Sequence, residues 1–136
     1  MVELVVIAIV VSVVIAFLSV WSWRGIPKQF VVRGCQGAAW RAAFPSATKL
    51  DIREFLELFT GAFLFPSKER LKFGPNDGIL SVYKAVYGRQ NLVDAMELET
   101  LAVDVESKYG VQLSQVWSER LTLGELFASI QARRAR

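Results

Sequence analysis

The 136 residues carry 16 Lys/Arg against 13 Asp/Glu, no histidine and one cysteine, Cys35, and 53% of them are hydrophobic. A lone cysteine excludes an internal disulfide, and the absence of histidine removes imidazole acid–base catalysis together with the commonest metal ligand. The length accommodates an N-terminal segment and one compact domain, and a second domain is not expected.

The charge is unevenly spread. Ser22 to Phe73 holds nine Lys/Arg against four Asp/Glu, Gly74 to Ile130 holds four against eight, and Arg133, Arg134 and Arg136 close the chain. The first half is therefore basic and the second acidic, an asymmetry that bears on partners rather than on fold.

Between Glu3 and Arg24, the twenty residues Leu4 to Trp23 contain no charge, proline or glycine. At 1.5 Å per residue they match a hydrocarbon core of about 30 Å, so residues 1–23 are expected to be a transmembrane anchor. A cleaved signal peptide is the alternative, but the acidic start and the Trp21-Ser22-Trp23 end do not suit one. Trp21 and Trp23, with Arg24, Lys28 and Arg33 after them, form the expected membrane interface. The basic flank implies a single-pass topology with the N-terminus outside and the C-terminal domain cytoplasmic, as at a bacterial inner membrane.

Residues 24–47 read as a basic juxtamembrane connector punctuated by Gly25, Pro27, Gly34, Gly37 and Pro45, with a short apolar stretch from Ala38 to Phe44 that is a candidate interfacial helix. Residues 48–131 read as a helical domain and 132–136 as a basic tail. The first domain helix, about 50–63, follows from Ile52, Phe55, Leu56, Phe59 and Phe63, with Asp51 and Glu54 at capping-box spacing. Pro75-Asn76-Asp77-Gly78 signals a turn, followed by a shorter helix from Ile79 to Tyr87 that Gly88 ends. Asp94 with Glu97 opens a third helix, whose buried stripe is Leu98, Leu101, Ala102, Val105 and Tyr109 and whose stop is Gly110 in a left-handed turn. Thr122 with Glu125 opens the last, burying Leu123, Leu126, Phe127 and Ile130. With no long alternating run, the fold class is all-α: a small four-helix bundle behind the N-terminal helix.

Several of these features occur together in one known family. Asp94-Ala95-Met96 opens a major helix, Tyr109 ends it, Val111 and Leu113 follow, and Leu121-Thr122-Leu123-Gly124-Glu125-Leu126 opens the last helix. In this order and spacing the stretch from Asp94 to Ile130 resembles the second half of an acyl carrier protein, where Asp-Ser-Leu opens the corresponding helix. The resemblance implies a carrier-like bundle, with an extra helical insertion at Ile79 to Tyr87. It also implies an acidic docking face for basic patches on partner proteins, carried here by Asp94, Met96, Glu97, Glu99, Asp104 and Glu106. Two departures matter. Ala95 replaces the serine that takes phosphopantetheine in the family, so no cofactor is expected, and Glu99 falls where the family tends to be apolar.

No phosphate loop, metal-spaced Cys/His set or nucleophile elbow is present in the sequence, and the Asp51/Glu54 and Asp94/Glu97 spacings are those of helix caps. Cys35 reads as an inert thiol, with palmitoylation the alternative. The three tail arginines read as a solvated helix end, and no nucleic acid is expected. The expectation is therefore a noncatalytic, membrane-tethered adaptor or accessory subunit that docks a protein of a membrane complex at the cytoplasmic face. A working acyl carrier with an atypical attachment site and a purely structural single-pass subunit are the alternatives.

Overall fold

The computed structural model describes residues 1–22, 26–87 and 96–135, with side chains described only as far as Phe17 in the first of these stretches. Among the described residues all regular structure is helical: α1 (Val2–Ser22), α2 (Lys28–Val31), α3 (Gly37–Ala43), α4 (Lys49–Ala62), a 3-10 segment (Ser67–Lys72), α5 (Ile79–Tyr87), α6 (Met96–Tyr109), α7 (Leu113–Val116) and α8 (Leu123–Arg134). The all-α class and the four main domain helices thus agree with the sequence pattern.

The expected transmembrane span is corrected. Among the described residues no helix is long and apolar enough to cross a membrane. The single-pass topology, the outside N-terminus and the membrane localisation fall with that span. The side chain of Trp21, together with Trp23, Arg24, Gly88, Asp94 and Ala95, lies outside the described residues.

Local chemistry sets the helix ends. Thr48 caps α4 by accepting the Asp51 N–H at 3.1 Å, one turn earlier than the Asp51/Glu54 spacing suggests. Thr122 caps α8 as expected, accepting the Glu125 N–H at 3.1 Å. Gly110 adopts the left-handed conformation, φ 70°, and its N–H returns to the Glu106 carbonyl at 2.9 Å. Beyond α4, Leu64 takes a positive φ of 58°, a conformation that costs an L-residue about 1 kcal/mol or more.

One core joins these elements. Helix α4 buries Ile52, Phe55, Leu56 and Phe59 on a single face, as its period dictates, and packs against α6 and the 3-10 segment. Helix α8 contributes Leu123, Leu126, Phe127 and Ile130. Each such side chain supplies about 1.5–3 kcal/mol on burial. Aromatic rings tie the sequence-distant parts together: Phe127 meets Trp40 at 5.7 Å, Phe44 at 4.8 Å and Phe55 at 5.4 Å, and Phe73 meets Phe30 at 5.1 Å and Phe59 at 5.2 Å.

The stretch that reads as a connector contributes to this core. Ile26, Phe30 and Trp40 are buried, and the Trp40 Nε1–H donates to the Phe73 carbonyl at 2.9 Å. Ala38 to Phe44 falls largely within α3, which packs on the domain through Trp40 and Phe44.

The turn at 74–78 is fastened to the start of α8. Gly124 N–H donates to Pro75 O at 2.8 Å, Leu123 N–H to Asp77 O at 2.9 Å and Ile79 N–H to Leu121 O at 3.0 Å. A Cβ at Gly124 would lie 2.7 Å from the Pro75 carbonyl oxygen, so this close approach requires glycine. The Asp77 carboxylate accepts both the Gly74 N–H at 2.6 Å and the Arg33 guanidinium at 2.7 Å, pinning the turn from its other side.

Candidate functional site

Helix α6 has one buried and one open face. Leu101 and Val105 are fully buried, and Leu98, Ala102 and Tyr109 are half-buried beside them, as the sequence stripe predicts. The opposite face follows the same i, i+3, i+4 rule. Met96, Glu99, Thr100, Val103, Glu106 and Ser107 are all exposed there. Met96 retains 69% and Val103 65% of their possible exposure, against a domain that otherwise buries most of its large apolar side chains.

The expected acidic residues separate into two groups. Glu99 and Glu106 lie on the open face, one on each side of Val103. Glu97 and Asp104 are half-buried at its edge, and the Glu97 carboxylate accepts the Tyr87 hydroxyl at 2.6 Å, joining α5 to α6. Glu97 is therefore partly committed within the fold. Glu99 is exposed to solvent. Asp94 lies outside the described residues, as does Ala95.

Val103 was not among the expected contact residues, although its signal is present in the sequence: Met96, Thr100 and Val103 recur at four and three residues. A surface of two isolated apolar side chains framed by carboxylates is chemically suited to a complementary surface with an apolar recess and lysine or arginine at its rim.

The basic residues expected at a membrane interface are distributed differently. Lys28 is exposed. Arg33 pairs with Asp77 at 2.7 Å and stacks 4.8 Å from the Phe30 ring centroid, so its charge is used inside the domain. In the tail, Arg134 pairs with Asp51 at 3.0 Å and lies 5.2 Å over the Tyr109 ring. Burial pushes the Tyr109 phenol above its ordinary value of 10.0, against the opposing pull of Arg134, with Glu54 and Asp51 adding to the rise.

A shallow cavity of about 510 Å³ lies between the 110–116 loop and α8, lined by Gln112, Gln115, Ser129 and Arg133. A smaller one of about 170 Å³ lies between α3 and α4, with Cys35, Arg41, Lys49 and Arg53 among its lining. Among the described residues no group of three or more acidic, cysteine or histidine side chains is placed to hold a metal.

Comparison with known proteins finds no family model that matches the chain, and neither a curated protein nor a solved structure matches it.

Proposed function

We propose that this protein is a noncatalytic, acyl-carrier-like adaptor that docks a basic partner protein through the open face of α6. The observation that carries this reading is the exposure of Met96 and Val103 on one face with Glu99 and Glu106 beside them. An exposed apolar side chain such as Leu64 stands singly, whereas Met96 and Val103 share one helix face with the two carboxylates. The carboxylates orient an approaching partner and raise the association rate more than they raise affinity.

The reading is noncatalytic on the sequence: Ala95 has no hydroxyl to take the prosthetic arm, and the chain has no histidine. A carrier attached through another serine is the competing reading. Intact mass after co-expression with a phosphopantetheinyl transferase separates the two, because the adaptor keeps its unmodified mass, whereas a gain of the arm retires the adaptor reading.

Docking is tested by placing a photo-crosslinking amino acid at position 103 in cells and identifying the protein captured. Glu99→Lys with Glu106→Lys is expected to abolish that specific crosslink while leaving the helical circular dichroism unchanged. An undiminished crosslink would show that this face is merely solvated.

A further inference from the structure

The basic residues of the first half are not all used in the same way. Arg33, Arg70 and, in the tail, Arg134 each have a carboxylate partner, as does Lys108. Among the described residues, Arg41, Lys49 and Arg53 have none. All three are exposed and line one cleft between α3 and α4, whose lining includes no carboxylate. Lys49 and Arg53 are four residues apart on α4, the spacing at which like charges repel across a helix turn, and Arg41 adds a third positive charge from α3. Such an arrangement is electrostatically unfavourable when empty and is relieved by an anion.

We propose that the α3–α4 cleft binds a phosphate group, either as free phosphate or as the phosphomonoester of a small organic molecule. Three cationic side chains favour a dianion over a carboxylate, and the two guanidinium groups supply paired N–H donors suited to tetrahedral oxygens. At about 170 Å³ the cleft is smaller than the roughly 300 Å³ at which pockets for whole drug-sized ligands begin, so it takes one charged group rather than an entire cofactor. Its lining also includes the half-buried Leu71 and the buried Ile52, which gives an attached apolar moiety somewhere to rest and distinguishes an ester from the bare ion.

Cys35, on the rim and the chain's one thiol, provides a position-specific readout in the full-length protein. Alkylation of Cys35 is followed at constant ionic strength with sodium phosphate, phenyl phosphate or sodium chloride. If an occupied cleft shields the thiol, phosphate at about ten times its dissociation constant slows alkylation about tenfold, as the binding polynomial requires. Phenyl phosphate is expected to reach the same protection at lower concentration, and equal potency would assign the site to free phosphate. Arg53→Gln and Lys49→Gln are expected to remove the protection, and the distant Lys84→Gln to leave it intact. Because all these positions are exposed, folding is not at stake, and melting temperature with and without phosphate gives a second measure. Chloride matching phosphate, protection surviving Arg53→Gln with Lys49→Gln, or no phosphate effect on either alkylation or melting would each overturn the proposal.

Discussion

Trp40 shows how one side chain decides where a domain begins. Its ring is fully buried against Phe44, Phe55 and Phe127, and its indole N–H is used by the Phe73 carbonyl. Trp40→Phe keeps most of the apolar contact but leaves that buried carbonyl without a donor, so about 1–3 kcal/mol of stability is expected to be lost in chemical denaturation. Tyr109 offers a test of electrostatics. Its folded pKa is raised, so its contribution to stability is complete below the unfolded value of 10.0 and disappears as pH rises through the folded value. Arg134 opposes the rise, so Arg134→Gln should move the phenol midpoint further up. Phenolate absorbance, resolved against a Tyr109→Phe control, measures the shift, and a downward movement would contradict the assigned cause.

Among the elements, the four long domain helices were readable because each repeats apolar residues at helical spacing over two or more turns. The turn residues Asp77 and Gly110 and the cap residue Thr122 were readable because their chemistry is local. The short elements α2 and α7 were not, and α3, legible as a short interfacial helix over Ala38 to Phe44, instead buries Trp40 in the core. A helix of four to seven residues cannot sustain itself by propensity, and α3 exists because Trp40 is held by Phe73, thirty-three residues away. The candidate site was half legible: the acids of α6 stand out in the sequence, but which of them face solvent depends on Tyr87 reaching Glu97 and on the packing of α4. Two element-scale predictions follow from the ends of α4. Thr48→Ala should cost about 1 kcal/mol by freeing the Asp51 N–H. Leu64→Gly should be neutral to stabilising, by up to about 1 kcal/mol, because the exposed side chain gives up little and the left-handed backbone is relieved. Urea midpoints check both, and a clear loss at Leu64→Gly would mean that its side chain has a contact partner.

For the molecule as a whole, burial of Ile26 and Phe30 sets the length of chain that folds cooperatively. A chain beginning at residue 26 should keep a sharp thermal transition. One beginning at Thr48 lacks Ile26, Phe30 and Trp40, a loss of burial comparable with the entire stability of a small domain, and it should melt broadly or not fold. Equal transitions for the two, followed by circular dichroism, would show that the first segment only decorates the core.

The fastening of the 74–78 turn to α8 also has a temporal consequence. The partners in the Leu123–Asp77 bond are 46 residues apart in the chain, so the bond closes a long loop and stays shut until the chain between them comes apart. In deuterated solvent, the Leu123 and Gly124 protons should therefore be among the last to exchange, lost only when the whole domain opens, while amides at the exposed end of α8 trade quickly. The proton on Gly124 is in effect a clock for the lifetime of the native state.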